Sequence, residues 1–262
     1  MTSDLVQLHI SGRTATVTLD SPHNRNALSA ELCRQLAVRL RSALEDDAVR
    51  AIVLTHTGPL FCSGADLKAQ DPGAAARGDF PAVLQAIWTS PKPVIARLAG
   101  PARGGGVGLV AACDFAVASD EVLFALSEVR IGVVAAVISV TVLPRMLPHA
   151  AYELFLTGEP FDATRAVNVG LLNSAVVAER LDAEVDRYLR MVFLAAPGAL
   201  SATKRMLREP RPTSLEEDLA QQARLAAERF ASAEGQEGIR AFLEKRPPEW
   251  ALTPSAVSSL ED

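Results

Sequence analysis

The chain has 262 residues, 49% of them apolar and 22% charged, with a net charge of −5 and three cysteines. That balance describes a globular protein able to bury a large core without a disulfide or metal staple. An acidic surplus argues against nucleic acid or an anionic membrane as the main partner, and Cys33, Cys62 and Cys113 lack the spacing of a disulfide framework or a zinc site.

Leu5–Ile10 and Thr14–Leu19 are β-rich and separated by Ser11-Gly12-Arg13, which predicts a hairpin. The turn-rich Asp20–Asn26 follows, and Ser29 is placed to cap a helix over Ala30–Leu44, where Leu32, Leu36, Leu40 and Leu44 recur every four residues. Ala51–Thr55 reads as a strand, so strand, helix and strand form a parallel βαβ unit. Ala69–Gly78, rich in Gly, Pro and Ala without periodicity, is read as a mobile loop, and Phe80–Thr89 as a helix. Pro93–Leu98, Phe115–Ala118 and Val122–Phe124 read as strands. From Ala135 onward the pattern is helical, apart from a strand near Val169–Val177. Met1–Asp4 lacks the basic and apolar regions of a signal peptide and Val133–Leu143 is too short to span a bilayer, which together predict a cytoplasmic protein.

Two strand-to-loop junctions concentrate the candidate chemistry, because α/β sheets bind ligands at the carboxyl ends of their strands. One is Phe61-Cys62-Ser63-Gly64-Ala65-Asp66-Leu67-Lys68; the other is Gly104-Gly105-Gly106, which opens an apolar helix. Glycines at a helix start leave main-chain N–H groups unpaired and approachable. If the two loops lie side by side, one amide from each can point at a shared oxygen and form an oxyanion hole. Neither junction has P-loop spacing. Cys33 and Cys113 read as buried thiols, and Cys62 has no histidine neighbour to make it a nucleophile. His9, His23, His56 and His149 form no constellation.

These two junctions together resemble the enoyl-CoA hydratase/isomerase (crotonase) family. Asn24-Arg25-Asn26-Ala27-Leu28 resembles that family's early CoA-side motif, Phe124–Gly132 its glutamate-bearing segment, and Gly235–Trp250 its C-terminal helix. The resemblance implies a crotonase-like α/β fold of repeated ββα units, with a core over residues 1–195 and a helical trimerisation region over residues 196–262. It implies acyl-CoA thioester substrates, no cofactor apart from the coenzyme A carried by the substrate, no metal, and a homotrimer or dimer of trimers. By the same resemblance Ala65 and Gly105 supply the oxyanion-hole amides and Glu128 the acid/base. Ala27, Asp66, Leu67 and Lys68 line the CoA side, and Ser63, Gly64, Gly104 and Gly108 complete the CoA and acyl surface. Lys245, from a neighbouring subunit, offsets phosphate charge.

One departure bears on the reaction. The family's hydratases use two glutamates, the first standing two residues after the glycine triplet, and here that position is Gly108. The second matches Glu128. A single carboxylate leaves three readings open: water addition across the 2,3 double bond, Δ3,Δ2-enoyl-CoA isomerisation, or an acyl-CoA-binding protein with weak chemistry. Glu153 and Asp162 are the candidates for a replacement acid, each with a competing reading as a surface charge. Ile138-Ser139 is similar to a branch of hydratases for branched acyl-CoAs, and Gly108 predicts a roomier, less polar pocket beside it.

Overall fold

The computed structural model describes residues 4–69, 78–209 and 215–251. The chain divides into two compact units, Met1–Tyr188 and Leu189–Asp262.

The first unit is built on a six-stranded sheet. Strands β1 (Val6–Ser11) and β2 (Thr14–Leu19) form the expected antiparallel hairpin, with Ser11 opposite Thr14 and Gly12 at φ +54° in the turn. In β2, Ala15, Val17 and Leu19 are buried and alternate with half-exposed threonines, the period-two pattern of a strand with one face in the core. All six residues of β3 (Ala51–His56) are buried, as expected of a parallel strand covered on both faces. The sheet continues in parallel through β4 (Val94–Leu98) and β6 (Phe115–Ser119) to β9 (Ser174–Val176), in the order β1-β2-β3-β4-β6-β9. A second, three-stranded sheet joins β5 (Ala102–Arg103), β7 (Leu123–Ala125) and β8 (Phe161–Asp162) in the order β5-β7-β8.

The crossover helices follow from the sequence pattern. Helix α1 (Ala30–Glu45) starts where Ser29 Oγ accepts from Leu32 N–H, and it buries Leu32, Leu36 and Leu40 against the sheet core. Its C-terminus is closed by Lys92, whose Nζ donates to the carbonyls of Ala43 and Asp46 at 3.0 and 2.6 Å. Helix α2 (Asp79–Thr89) packs on α1. Helix α3 (Gly105–Ala112) is buried along Gly106–Ala112, which is why its sequence is apolar on every side. Then come α4 (Ala136–Val142), α5 (Pro148–Thr157), α6 (Ala163–Asn168) and α7 (Leu181–Phe193).

The second unit contains α8 (Pro197–Arg208), α9 (Leu215–Ala231) and α10 (Ala233–Glu244). Ser232 caps α10 by accepting from Gly235 N–H, and Glu234 accepts from the Gly198 amide at 2.8 Å, tying α10 to the start of α8. Glu237 is buried and paired with Arg246, which holds its carboxyl down at about 2. No helix among the described residues is long and apolar enough to cross a membrane.

Two expectations are corrected or fall outside the described residues, and two short strands are additional. The strand expected near Val169–Val177 is confined to Ser174–Val176; Val169 and Gly170 instead close the end of α6 through bonds to Arg165 and Val167 carbonyls. The two-residue strands β5 and β8 are too short to leave a periodicity in the sequence. Residues 70–77 of the expected mobile loop lie outside the described residues.

Candidate active site

The two junctions singled out from the sequence do lie side by side. Cys62 and Ala102 form a parallel bridge, Arg103 N–H donates to Cys62 O at 2.9 Å, and Phe61 N–H donates to Pro101 O at 3.0 Å. A third segment joins them: Leu28 N–H donates to Gly64 O at 2.8 Å and Leu28 bridges Ala65. These contacts use the amides of Leu28, Phe61 and Arg103 and leave both candidate donors out. Among the described residues, neither the Ala65 N–H nor the Gly105 N–H has an acceptor. Gly105 opens α3, so its amide belongs to the unpaired first turn of a helix. A Cβ on Gly64 would stand 3.7 Å from Gly105 N, which places the two loops within reach of one ligand atom.

Asn26 fixes this convergence. Its side chain is fully buried, accepts from Ser21 N–H at 2.7 Å and donates to the carbonyls of Thr57 and Leu60 at 3.0 and 2.8 Å. Its φ of +52° is the left-handed conformation that asparagine tolerates better than most residues. His56, at the end of β3, accepts from Ala99 N–H through Nε2 at 3.1 Å, with Nδ1 3.3 Å from Thr57 O. Its burial depresses the imidazole pKa, so the neutral ring ties the β3 exit to the β4 exit. The sequence places Asn26 in a turn and in the early motif of the family resemblance without showing its structural role, and it shows His56 only as an isolated histidine.

Glu128 opens a 3-10 turn, Glu128–Ile131, that follows β7. The turn is anchored by Arg130, which donates to Thr157 O at 2.8 Å and pairs with Glu159. Parallel pairing of β5 with β7, extended by Gly104 N–H donating to Ala125 O at 2.9 Å, brings Glu128 beside the glycine loop. A Cβ on Gly104 would come within 2.9 Å of Glu128 Oε1, and Gly104 holds φ +48° and ψ −115°, a backbone that only glycine adopts without strain. Glu128 is half-buried, its Oε2 is buried with no hydrogen-bond partner, and burial pushes the carboxyl above its ordinary value.

The remaining expected residues are placed as follows. Ala27 is buried, Gly64 is buried, Ser63 donates its N–H to Arg25 O at 3.1 Å, and Ala65, Leu67 and Lys68 are exposed. Asp66 folds back to accept from Lys68 N–H at 3.1 Å, closing the loop. Lys245 lies in the second unit, as the left-handed C-cap of α10. Cys62 is fully buried with its thiol pushed up to about 12, which removes it as a nucleophile. Glu153 pairs with Arg165, and Asp162 caps α6 by accepting from Arg165 N–H, so both have structural partners.

The expected roomy space beside Gly108 is absent. Gly108 is buried and Ile138 of α4 packs onto it: a Cβ at 108 would stand 2.4 Å from Ile138 Cγ2 and 2.8 Å from its Cβ. Sequence could not show this, because the two residues belong to different helices.

A mainly parallel sheet with following helices, whose loops hold two amides unpaired among the described residues beside a half-buried carboxylate, defines a crotonase-type α/β protein. A family model described as Enoyl-CoA hydratase/isomerase matches residues 9–252. Among solved structures, an enoyl-CoA hydratase from Mycobacterium avium is 44% identical with a TM-score of 0.73, covering 95% of this chain and 100% of that one. The enoyl-CoA hydratase of Mycobacterium smegmatis is 32% identical with a TM-score of 0.86, covering 95% and 99%. Human enoyl-CoA hydratase domain-containing protein 3, mitochondrial, is 33% identical over 245 residues, which is 91% of this chain and 80% of that protein. The chain belongs to the enoyl-CoA hydratase/isomerase (crotonase) family.

Proposed function

We propose that this protein is an enoyl-CoA hydratase that adds water across the 2,3 double bond of an enoyl-CoA thioester, with Glu128 as its only acid/base. The observation that carries the reading is the unpartnered Glu128 carboxylate oxygen beside a loop whose Gly105 amide, with that of Ala65, has no acceptor among the described residues. The thioester oxygen accepts from both amides and gains negative charge as the acyl group becomes enolate-like; each such donor is typically worth about 100- to 1,000-fold. Water adds to C3, one of its protons passes to Glu128, and a carboxyl proton passes to C2. Oxygen and hydrogen balance with one carboxylate, and a raised carboxyl pKa suits a group that must both take and give a proton near neutrality. The relatives named above as hydratases favour this direction.

In the same reading Ala27, Ser63, Gly64, Asp66, Leu67, Lys68 and Gly104 border the CoA and acyl groups. Lys245 serves the CoA phosphates from a neighbouring copy in a homotrimer or dimer of trimers, and the protein works in the cytoplasm. A second reading, Δ3,Δ2-enoyl-CoA isomerisation, is favoured by one observation: position 108 carries no carboxylate, and Ile138 packs where a side chain there would begin. Glu128 would then move a proton from C4 to C2. Incubation with crotonyl-CoA and with a 3-enoyl-CoA separates the two. A hydratase removes the absorbance of the conjugated thioester and an isomerase creates it; saturable CoA binding with neither change would refute both.

A further inference from the structure

In crotonase hydratases that work with two glutamates the position of Gly108 bears one of them, and the packing over it bears on whether this chain could use one. Gly108 lies one turn after Gly104, its N–H donating to Gly104 O at 3.2 Å. A side chain at 108, four residues on from the Gly104 against which Glu128 stands, would point at α4. That direction is occupied by Ile138, which is 3% exposed. The helix carrying it is pinned: Thr141, also 3% exposed, sets its hydroxyl 3.1 Å from Gly108 O and 3.2 Å from Ile138 O.

We infer that Gly108 and Ile138 are a matched pair in which Ile138 closes the second acid/base position, and that Ile138 thereby commits this protein to single-carboxylate chemistry at Glu128. The pair is steric and can be dissected. Alanine at 138 would not reopen the position, because its Cβ would still lie 2.8 Å from a Cβ at 108; glycine would, since the Ile138 Cα is 3.6 Å away. The single-carboxylate half of the inference rests on the function proposed above, whereas the packing half does not.

Thermal unfolding and the pH dependence of turnover test the two halves separately. Gly108→Ala in the wild-type background should lower Tm by several degrees, although alanine is ordinarily the better helix former, because the methyl overpacks the contact. The same substitution in an Ile138→Gly background should leave Tm unchanged or raise it. Equal effects in both backgrounds, or a wild-type background that tolerates Gly108→Ala, would overturn the pair. For the chemistry, wild-type hydration of crotonyl-CoA should show one carboxylate ionisation, and Gly108→Glu with Ile138→Gly should add a second. Two carboxylate limbs in the wild-type profile would overturn the single-carboxylate assignment. Coupled Tm values with no turnover of any enoyl-CoA would uphold the pair and count against the proposed function.

Discussion

Replacing Glu128 by glutamine should separate activity from stability, in opposite directions. The substitution keeps the shape of the side chain but removes its ability to exchange protons. General acid–base participation is worth about 100- to 10,000-fold, or about 3–5 kcal/mol of barrier. Because both proton transfers converge on Glu128, with Gly108 covered by Ile138, the loss should fall near 10,000-fold. KM should change little, since the amides of Ala65 and Gly105 are main-chain groups.

The stability effect follows from the buried, unpartnered Oε2. Burial raises the folded-state pKa of Glu128 above its ordinary 4.5. The native state therefore holds this proton more tightly than the unfolded chain does. The stability associated with the protonated form is complete below about 4.5 and is lost as pH rises through the raised native value. Glutamine cannot ionise, and an unpaired neutral amide is cheaper to bury than an unpaired carboxylate. At pH 8 the variant should be at least as stable as the wild type, with a smaller advantage at pH 5. Steady-state kinetics on crotonyl-CoA and scanning calorimetry at the two pH values provide the measurements. A variant within tenfold of wild-type turnover, or one that melts several degrees lower at pH 8, would show that Glu128 is a structural residue.

Other consequences can be checked on the same protein. His56 is held neutral with a depressed pKa, so its contribution to stability is present above about pH 6.5 and is lost as pH falls below it; Tm measured from pH 7.5 to 5 should decline, and a His56→Gln variant should decline less steeply. Arg145 donates to the carbonyls of Ala111 and Cys113 at 3.1 and 2.6 Å, closing the C-terminus of the helix that begins at Gly105. Arg145→Ala should cost about 2 kcal/mol, a Tm loss of about 4–8 °C by differential scanning fluorimetry. Cys33, Cys62 and Cys113 are buried, with the Cys33 and Cys62 thiols pushed up to about 12. A thiol reagent should therefore label none of them quickly in the native protein and all three after denaturation, and rapid native labelling of Cys62 would contradict its burial.

Much of the scaffold could be read in the chain because its signals are local. Alternation in Thr14–Leu19, the four-residue spacing of Leu32, Leu36 and Leu40, and the Ser29 cap depend on neighbours two to four residues apart, and the structure has each of them. The glycine loop was legible for a related reason: glycines at a helix start expose the backbone whatever surrounds them, whereas Ala65 was singled out only by the family resemblance. By itself, then, the sequence determined the longer elements, the glycine loop and the residue types available for chemistry. Tertiary structure decided which of those groups meet. Convergence of the two loops rests on bonds between residues about forty apart, such as Arg103 N–H to Cys62 O, and on the buried side chain of Asn26 reaching Thr57 and Leu60. Gly108 shows the difference most clearly: as a letter in the chain it suggested empty space, and in the fold it is the one residue small enough to lie beneath Ile138. A glycine leaves room only if nothing else fills it, and close packing between helices is set by pairs that no local pattern encodes.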